Sequence, residues 1–164
     1  MKVSRRSVLK AGVATGAVMA LGPVFAQEEL QDYPVQSIGN LNDLVVGEPV
    51  YFTYPDGQSQ GILVKLGREA VAGAGPEGDV VAYSAACTHM GCGVQYREGR
   101  FVCPCHNSMF DPAVNGQVYQ GLATSYLPQI GLRVDTQTGD ISAAFVEGLI
   151  WGRADNLPMA TQEG

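Results

Sequence analysis

The chain has 164 residues, 46% hydrophobic and 16% charged, with sixteen acidic against ten basic side chains and a formal net charge of −6. That length supports one domain with a modest core and excludes two independent ones. The acidic balance excludes nucleic acid and anionic lipid as main partners, because phosphate is repelled; it suits either a basic docking face or a plainly solvated exterior.

Residues 1–26 read as a leader. Ser4-Arg5-Arg6-Ser7-Val8-Leu9-Lys10 places paired arginines ahead of an apolar run from Ala11 to Ala26, and Val24-Phe25-Ala26 offers small residues where a signal peptidase cuts. This is the pattern of a twin-arginine export signal to the periplasm. Such signals carry folded proteins, so a cofactor inserted before export is implied. The run is only sixteen residues long, with three glycines and Pro23, whereas a membrane span needs about twenty apolar residues. Cleavage is therefore preferred to a retained anchor, and membrane association is not favoured. The remaining stretch, residues 27–164, keeps six basic and sixteen acidic residues, a net charge near −10.

Gln27 to Asp32 is acidic and reads as a loose lead-in. Beyond it come short β-branched and aromatic runs: "PVYFTY", "GILVKL", "DVVAYSA", "RFVCP", "IGLRVD" and "DISAAFV". Pro55-Asp56-Gly57, Asn115-Gly116 and Thr138-Gly139-Asp140 supply turns between them. No stretch sustains a helical period, and there is no internal repeat. The expected class is all-β, a small sandwich or barrel of antiparallel sheets. Met159 to Gly164 reads as a frayed tail.

Residues 87–106, "CTHMGCGVQYREGRFVCPCH", hold all four cysteines and both histidines. Cys87-Thr88-His89 and Cys103-Pro104-Cys105-His106 form two loops, each presenting one cysteine and one histidine as candidate ligands. Structural zinc accepts two thiolates and two imidazoles, but leaves Cys92 and Cys105 without a role. A two-iron cluster with two cysteines on one iron and two histidines on the other uses four residues and leaves two cysteines free to join the loops.

Cys87-Thr88-His89-Met90-Gly91-Cys92 and Cys103-Pro104-Cys105-His106-Asn107-Ser108 match C-x-H-x-G-C and C-P-C-H-x-S, and the chain resembles the Rieske iron-sulfur proteins in both boxes. The resemblance implies a Rieske fold, small antiparallel sheets with an inserted two-loop cluster-binding subdomain at about residues 86–111. It implies a 2Fe-2S cluster with Cys87 and Cys103 on one iron, His89 and His106 on the other, and a disulfide between Cys92 and Cys105. It also places the two histidines near the surface. Neutral imidazoles in place of two thiolates raise the potential into the range of about −150 to +300 mV. Ser108 matches the serine that donates to a bridging sulfide. Phe110 stands where high-potential relatives carry a tyrosine, so the expected potential lies below theirs.

Elsewhere Gly121-Leu122-Ala123-Thr124 replaces the Gly-Pro-x-Pro of quinol-oxidising relatives. "GLATSYLPQIGLRVD" and the ending Gly148-Leu149-Ile150-Trp151-Gly152-Arg153 resemble the small subunit of arsenite oxidase. That implies a heterodimer with a molybdopterin-containing large subunit and electron delivery to a cytochrome c or an azurin-like copper protein. No catalytic group is expected in this chain. Trp151 is expected in the core rather than at an interface. The alternative is a Rieske subunit of a quinol-cytochrome c oxidoreductase with a retained N-terminal anchor.

Overall fold

The computed structural model describes residues 33–158; the expected leader, the Gln27–Asp32 lead-in and the Met159–Gly164 tail lie outside them. The described chain forms ten strands and one 3-10 turn at Leu41–Asp43. One sheet contains β1 (Gln36–Asn40), β2 (Pro49–Thr53), β3 (Gln60–Lys65), β4 (Val80–Ser84), β9 (Gln129–Val134) and β10 (Asp140–Glu147), in the order β1-β10-β9-β4-β3-β2. Between β4 and β9 the chain inserts a second sheet, β5 (Gln95–Arg97), β6 (Arg100–Val102), β7 (Met109–Asp111) and β8 (Gln117–Gln120), ordered as in sequence. Every pair of neighbouring strands in the two sheets is antiparallel, as the short runs and tight turns predict. The inserted sheet continues through β8 to Gln120, past the expected boundary near residue 111.

The two edges of the larger sheet are drawn together by side chains. Gln36 Nε2 on β1 donates to the Thr53 carbonyl on β2 at 3.0 Å, and the Tyr54 hydroxyl donates to the Pro34 carbonyl at 2.8 Å. An edge strand otherwise leaves its backbone groups free to pair with another chain. Burial pushes the Tyr54 hydroxyl well above its ordinary range, with the neighbouring Tyr33 adding to the rise.

The core divides in two, and β3 and β4 belong to both halves. Leu63, Val80 and Ala82 pack with Ile130, Ile141 and Ala143 in the larger sheet's own core. Ile62, Val64, Val81 and Tyr83 face the other way, toward Phe101, Phe110, Cys87 and Cys103. Alternate residues of a strand point to opposite faces, so a strand buried on both faces must read as a continuous apolar run. "GILV" and "VVAY" do so. Tyr83 ties the halves together: its hydroxyl donates to the Pro112 carbonyl at 2.9 Å, and its ring meets Phe101 edge to face at 5.4 Å.

Candidate metal centre

Two loops rise from the inserted sheet and repeat one backbone design. In the first, Cys87 N–H donates to the Cys92 carbonyl at 2.9 Å and Gly91 N–H to the Cys87 carbonyl at 2.8 Å. In the second, Cys103 N–H donates to the Ser108 carbonyl at 2.8 Å and Asn107 N–H to the Cys103 carbonyl at 3.0 Å. The fifth residue of each turn is left-handed, Gly91 at φ 74° and Asn107 at φ 54°. Glycine enters that region freely, and asparagine is among the few other residues that tolerate it. Each six-residue turn thus begins with a cysteine held by two backbone bonds.

The side chains of the two turns converge. Cys92 and Cys105 form a disulfide, while Cys87 and Cys103 are buried free thiols. The His89 and His106 rings lie 4.8 Å apart between centroids, nearly perpendicular at 83°. His89 is half-buried and His106 exposed. The Nδ1 atom of His89 is buried without a hydrogen-bond partner. Burial pushes the Cys87 thiol above its ordinary range, the adjacent Cys103 adds to the rise, and the His89 and Met90 N–H groups oppose it.

A third loop, residues 121–127, packs across the second turn. Ser108 is fully buried, and its Oγ accepts from the Leu122 N–H at 3.1 Å and the Ala123 N–H at 3.0 Å. With both lone pairs engaged, its own O–H is left to donate. Gly121, at φ 92°, lies so close to the Ser108 backbone that a Cβ would overlap it. Thr88 Oγ1 donates to the Ser125 carbonyl at 2.9 Å, closing the same loop over the first turn. Phe110 is fully buried on β7, in the core that contains Cys87 and Cys103.

The donor set fits a two-iron cluster better than a single ion. Among the described residues, the trio of possible ligand atoms lying within 4.8 Å of one another is Cys92, Cys103 and Cys105, and two of these are consumed by the disulfide. The free donors are then two thiols, Cys87 and Cys103, and two imidazoles, His89 and His106, whose ring centroids lie 4.8 Å apart. Two buried thiols need strongly positive partners to ionise. A buried imidazole nitrogen with no hydrogen-bond partner is costly to leave unsatisfied.

Trp151 departs from the expectation. It is 47% exposed rather than in the core, because it follows β10 in a turn and lays its ring on Gly91 in the first cysteine loop. Thr88, Gly91 and Gly121 also shape the centre without having been singled out as site residues. The sequence signals for them were the fixed glycine of the C-x-H-x-G-C box, for Gly91, and the first position of the Gly-Pro-x-Pro stretch, for Gly121.

The Rieske [2Fe-2S] domain model matches residues 37–131, and the chain belongs to that family, with a Rieske-type 2Fe-2S cluster as its cofactor. The chain is 44% identical over 162 residues to the iodate reductase subunit IdrB of Denitromonas iodatirespirans, covering 94% of this chain and 86% of the relative. Its counterpart from Pseudomonas sp. (strain SCT) is 41% identical, covering 92% and 82%. The soluble domain of Rieske protein II from Sulfolobus acidocaldarius shares the fold, with a TM-score of 0.68 at 22% identity over 80% of this chain and 88% of that one. A twin-arginine translocation signal matches residues 2–22, so the chain is exported across the membrane to the periplasm. Among the described residues no helix is long and apolar enough to cross a membrane.

Proposed function

We propose that this chain is the electron-transfer subunit of a periplasmic oxyanion oxidoreductase, with Cys87 and Cys103 holding one iron and His89 and His106 the other. The observation that carries the ligand assignment is the buried, unpartnered Nδ1 of His89 beside two buried free thiols, in loops joined by the Cys92–Cys105 disulfide. When bound, the cluster supplies a one-electron carrier. The protein's part is to exclude water around Cys87 and Cys103, to orient both imidazoles through the two turns, and to aim the Ser108 hydroxyl inward. His106 is exposed, so its imidazole edge is open to solvent.

Substrate chemistry would belong to a molybdopterin-containing large subunit. Two readings of that partner differ in the direction of electron flow. Arsenite and water become arsenate with release of two electrons and two protons, which this subunit would pass to a cytochrome c or azurin-like acceptor. Iodate instead consumes six electrons and six protons on its way to iodide and water, which this subunit would deliver. The two IdrB relatives support the iodate-reducing reading over the arsenite-oxidising one suggested by the sequence.

Low-temperature EPR on the complex as purified separates them. The iodate reading expects that iodate abolishes the Rieske signal of the dithionite-reduced complex and that arsenite fails to raise one in the oxidised complex. A signal raised by arsenite alone reverses the choice. If neither oxyanion changes the signal while a quinol does, the quinol-oxidising reading replaces both.

A further inference from the structure

The segment after β10 has no strand partner, yet it is firmly tied down. Arg153 Nη1 donates to Asp56 Oδ2 and to Ser59 Oγ, the latter at 2.8 Å, in the turn between β2 and β3. Its Nε donates to the Asp155 carbonyl at 2.9 Å and its Nη2 to the Leu157 carbonyl at 2.8 Å. Asn156, buried, accepts from the Ile150 N–H at 3.0 Å and donates to the Gly148 carbonyl at 2.6 Å. These bonds fix the backbone on both sides of Trp151.

What the segment holds in place is the indole ring. Its six-membered ring lies against the Cα of Gly91, where any Cβ would overlap it. Gly91 stands two residues after His89, and its N–H closes the turn onto the Cys87 carbonyl at 2.8 Å. On this side the first loop faces a groove of about 360 Å³, lined by Ser59, Gln60, Ala86, Gly91, Trp151 and Arg153. Within that groove the ring covers one face of Gly91.

We propose that Trp151 is a positioning residue for the cluster: held by Arg153 and Asn156, its ring clasps Gly91, keeps the Cys87–Cys92 turn rigid and limits the water that reaches it from the groove. The proposal rests on the reading that this turn supplies Cys87 and His89 as ligands. Reduction adds one negative charge to the centre, and water admitted beside the turn stabilises that charge, so loss of the ring moves the potential upward. The fit is reciprocal. Gly91 is required by the ring as much as by its positive φ.

The test uses the assembled holoprotein carrying Trp151→Ala, Trp151→Phe, Gly91→Ala or Gly91→Ala with Trp151→Ala. Hydrogen exchange of the peptide covering residues 86–93 is measured together with an EPR-monitored redox titration. Trp151→Ala is expected to speed exchange in that peptide by roughly fivefold or more, leave the β3 and β10 peptides unchanged, and raise the midpoint potential. Trp151→Phe should retain most of the unaltered behaviour. Gly91→Ala should be milder in the Trp151→Ala background than alone, because the overlap is gone and only the φ strain remains. Unaltered exchange and potential in Trp151→Ala, or strict additivity of the double variant, overturns the clasp. A Rieske signal in the unaltered protein tests the ligand reading separately, and the exchange measurement judges the clasp whichever way that falls.

Discussion

The two sheets hold themselves together by different means. The larger one uses strands of five to eight residues and a mainly aliphatic core around Leu63, Val80, Ile130 and Ile141, each buried aliphatic side chain contributing about 1.5–3 kcal/mol. The inserted one has strands of three or four residues, and sheets this short are marginal by themselves. Its core includes the Cys87 and Cys103 thiols, and its loops are joined by a disulfide. The lesson is a division of labour. The larger sheet rests on apolar burial, while the inserted sheet adds a disulfide between its loops and two free thiols in its core.

The largest expected effect is that of Cys103→Ser. It should abolish the Rieske EPR signal and the visible absorption, and expose residues 95–120 to hydrogen exchange while residues 60–65 and 129–147 stay protected. Loss of protection in both regions together would break the comparison. Replacing Cys92 and Cys105 together by serine should cost about 2–4 kcal/mol in chemical denaturation, with the EPR line positions unchanged in protein that remains folded. A shifted spectrum would make the disulfide a tuner of the centre rather than a staple of the inserted sheet.

Phe110→Tyr is a finer probe, because it adds a donor inside the small core. One hydrogen bond to a sulfur, about 1 kcal/mol, raises a one-electron potential by roughly 40 mV, read by redox titration. An unmoved midpoint would mean that the new hydroxyl finds no acceptor there. The smallest effect belongs to the scaffold's anchor for the final segment. Burial raises the Asp56 carboxyl, but hydrogen bonds from Arg153, the Gln58 N–H and Ser59 outweigh it and leave it below its ordinary value. A carboxylate depressed in the folded state contributes stability above its unfolded pKa of about 3.9 and loses it as pH falls through the folded value. Asp56→Asn should therefore lower stability by about 0.5–1 kcal/mol at pH 6, a gap that closes in thermal melts as pH drops below about 4.

Much of the scaffold was legible in the chain. Continuous apolar runs marked β3 and β4 because both faces are buried, and the runs at 130–135 and 140–146 marked β9 and β10. The strands that escaped notice are "QSIGN", "QYR", "MFD" and "QVYQ", too short or too polar for a period of two to register. They pair because turns and neighbouring strands bring them together. Trp151 was misplaced for a related reason: a lone tryptophan near a strand end is usually core, and nothing local reveals that a glycine sixty residues earlier in the chain receives its ring.

By itself the sequence determined the chemistry of this protein: which side chains can bind metal, how they are spaced in two turns, and the paired arginines that send the chain outward. Those are properties of single residues and short stretches, and they survive without a fold. Only the tertiary structure decided that the His89 and His106 rings lie 4.8 Å apart, that the Ser108 hydroxyl is engaged by residues 122 and 123, and that Trp151 rests on Gly91. Those are relations between segments remote in the chain, set by which strands pair and how two cores share β3 and β4.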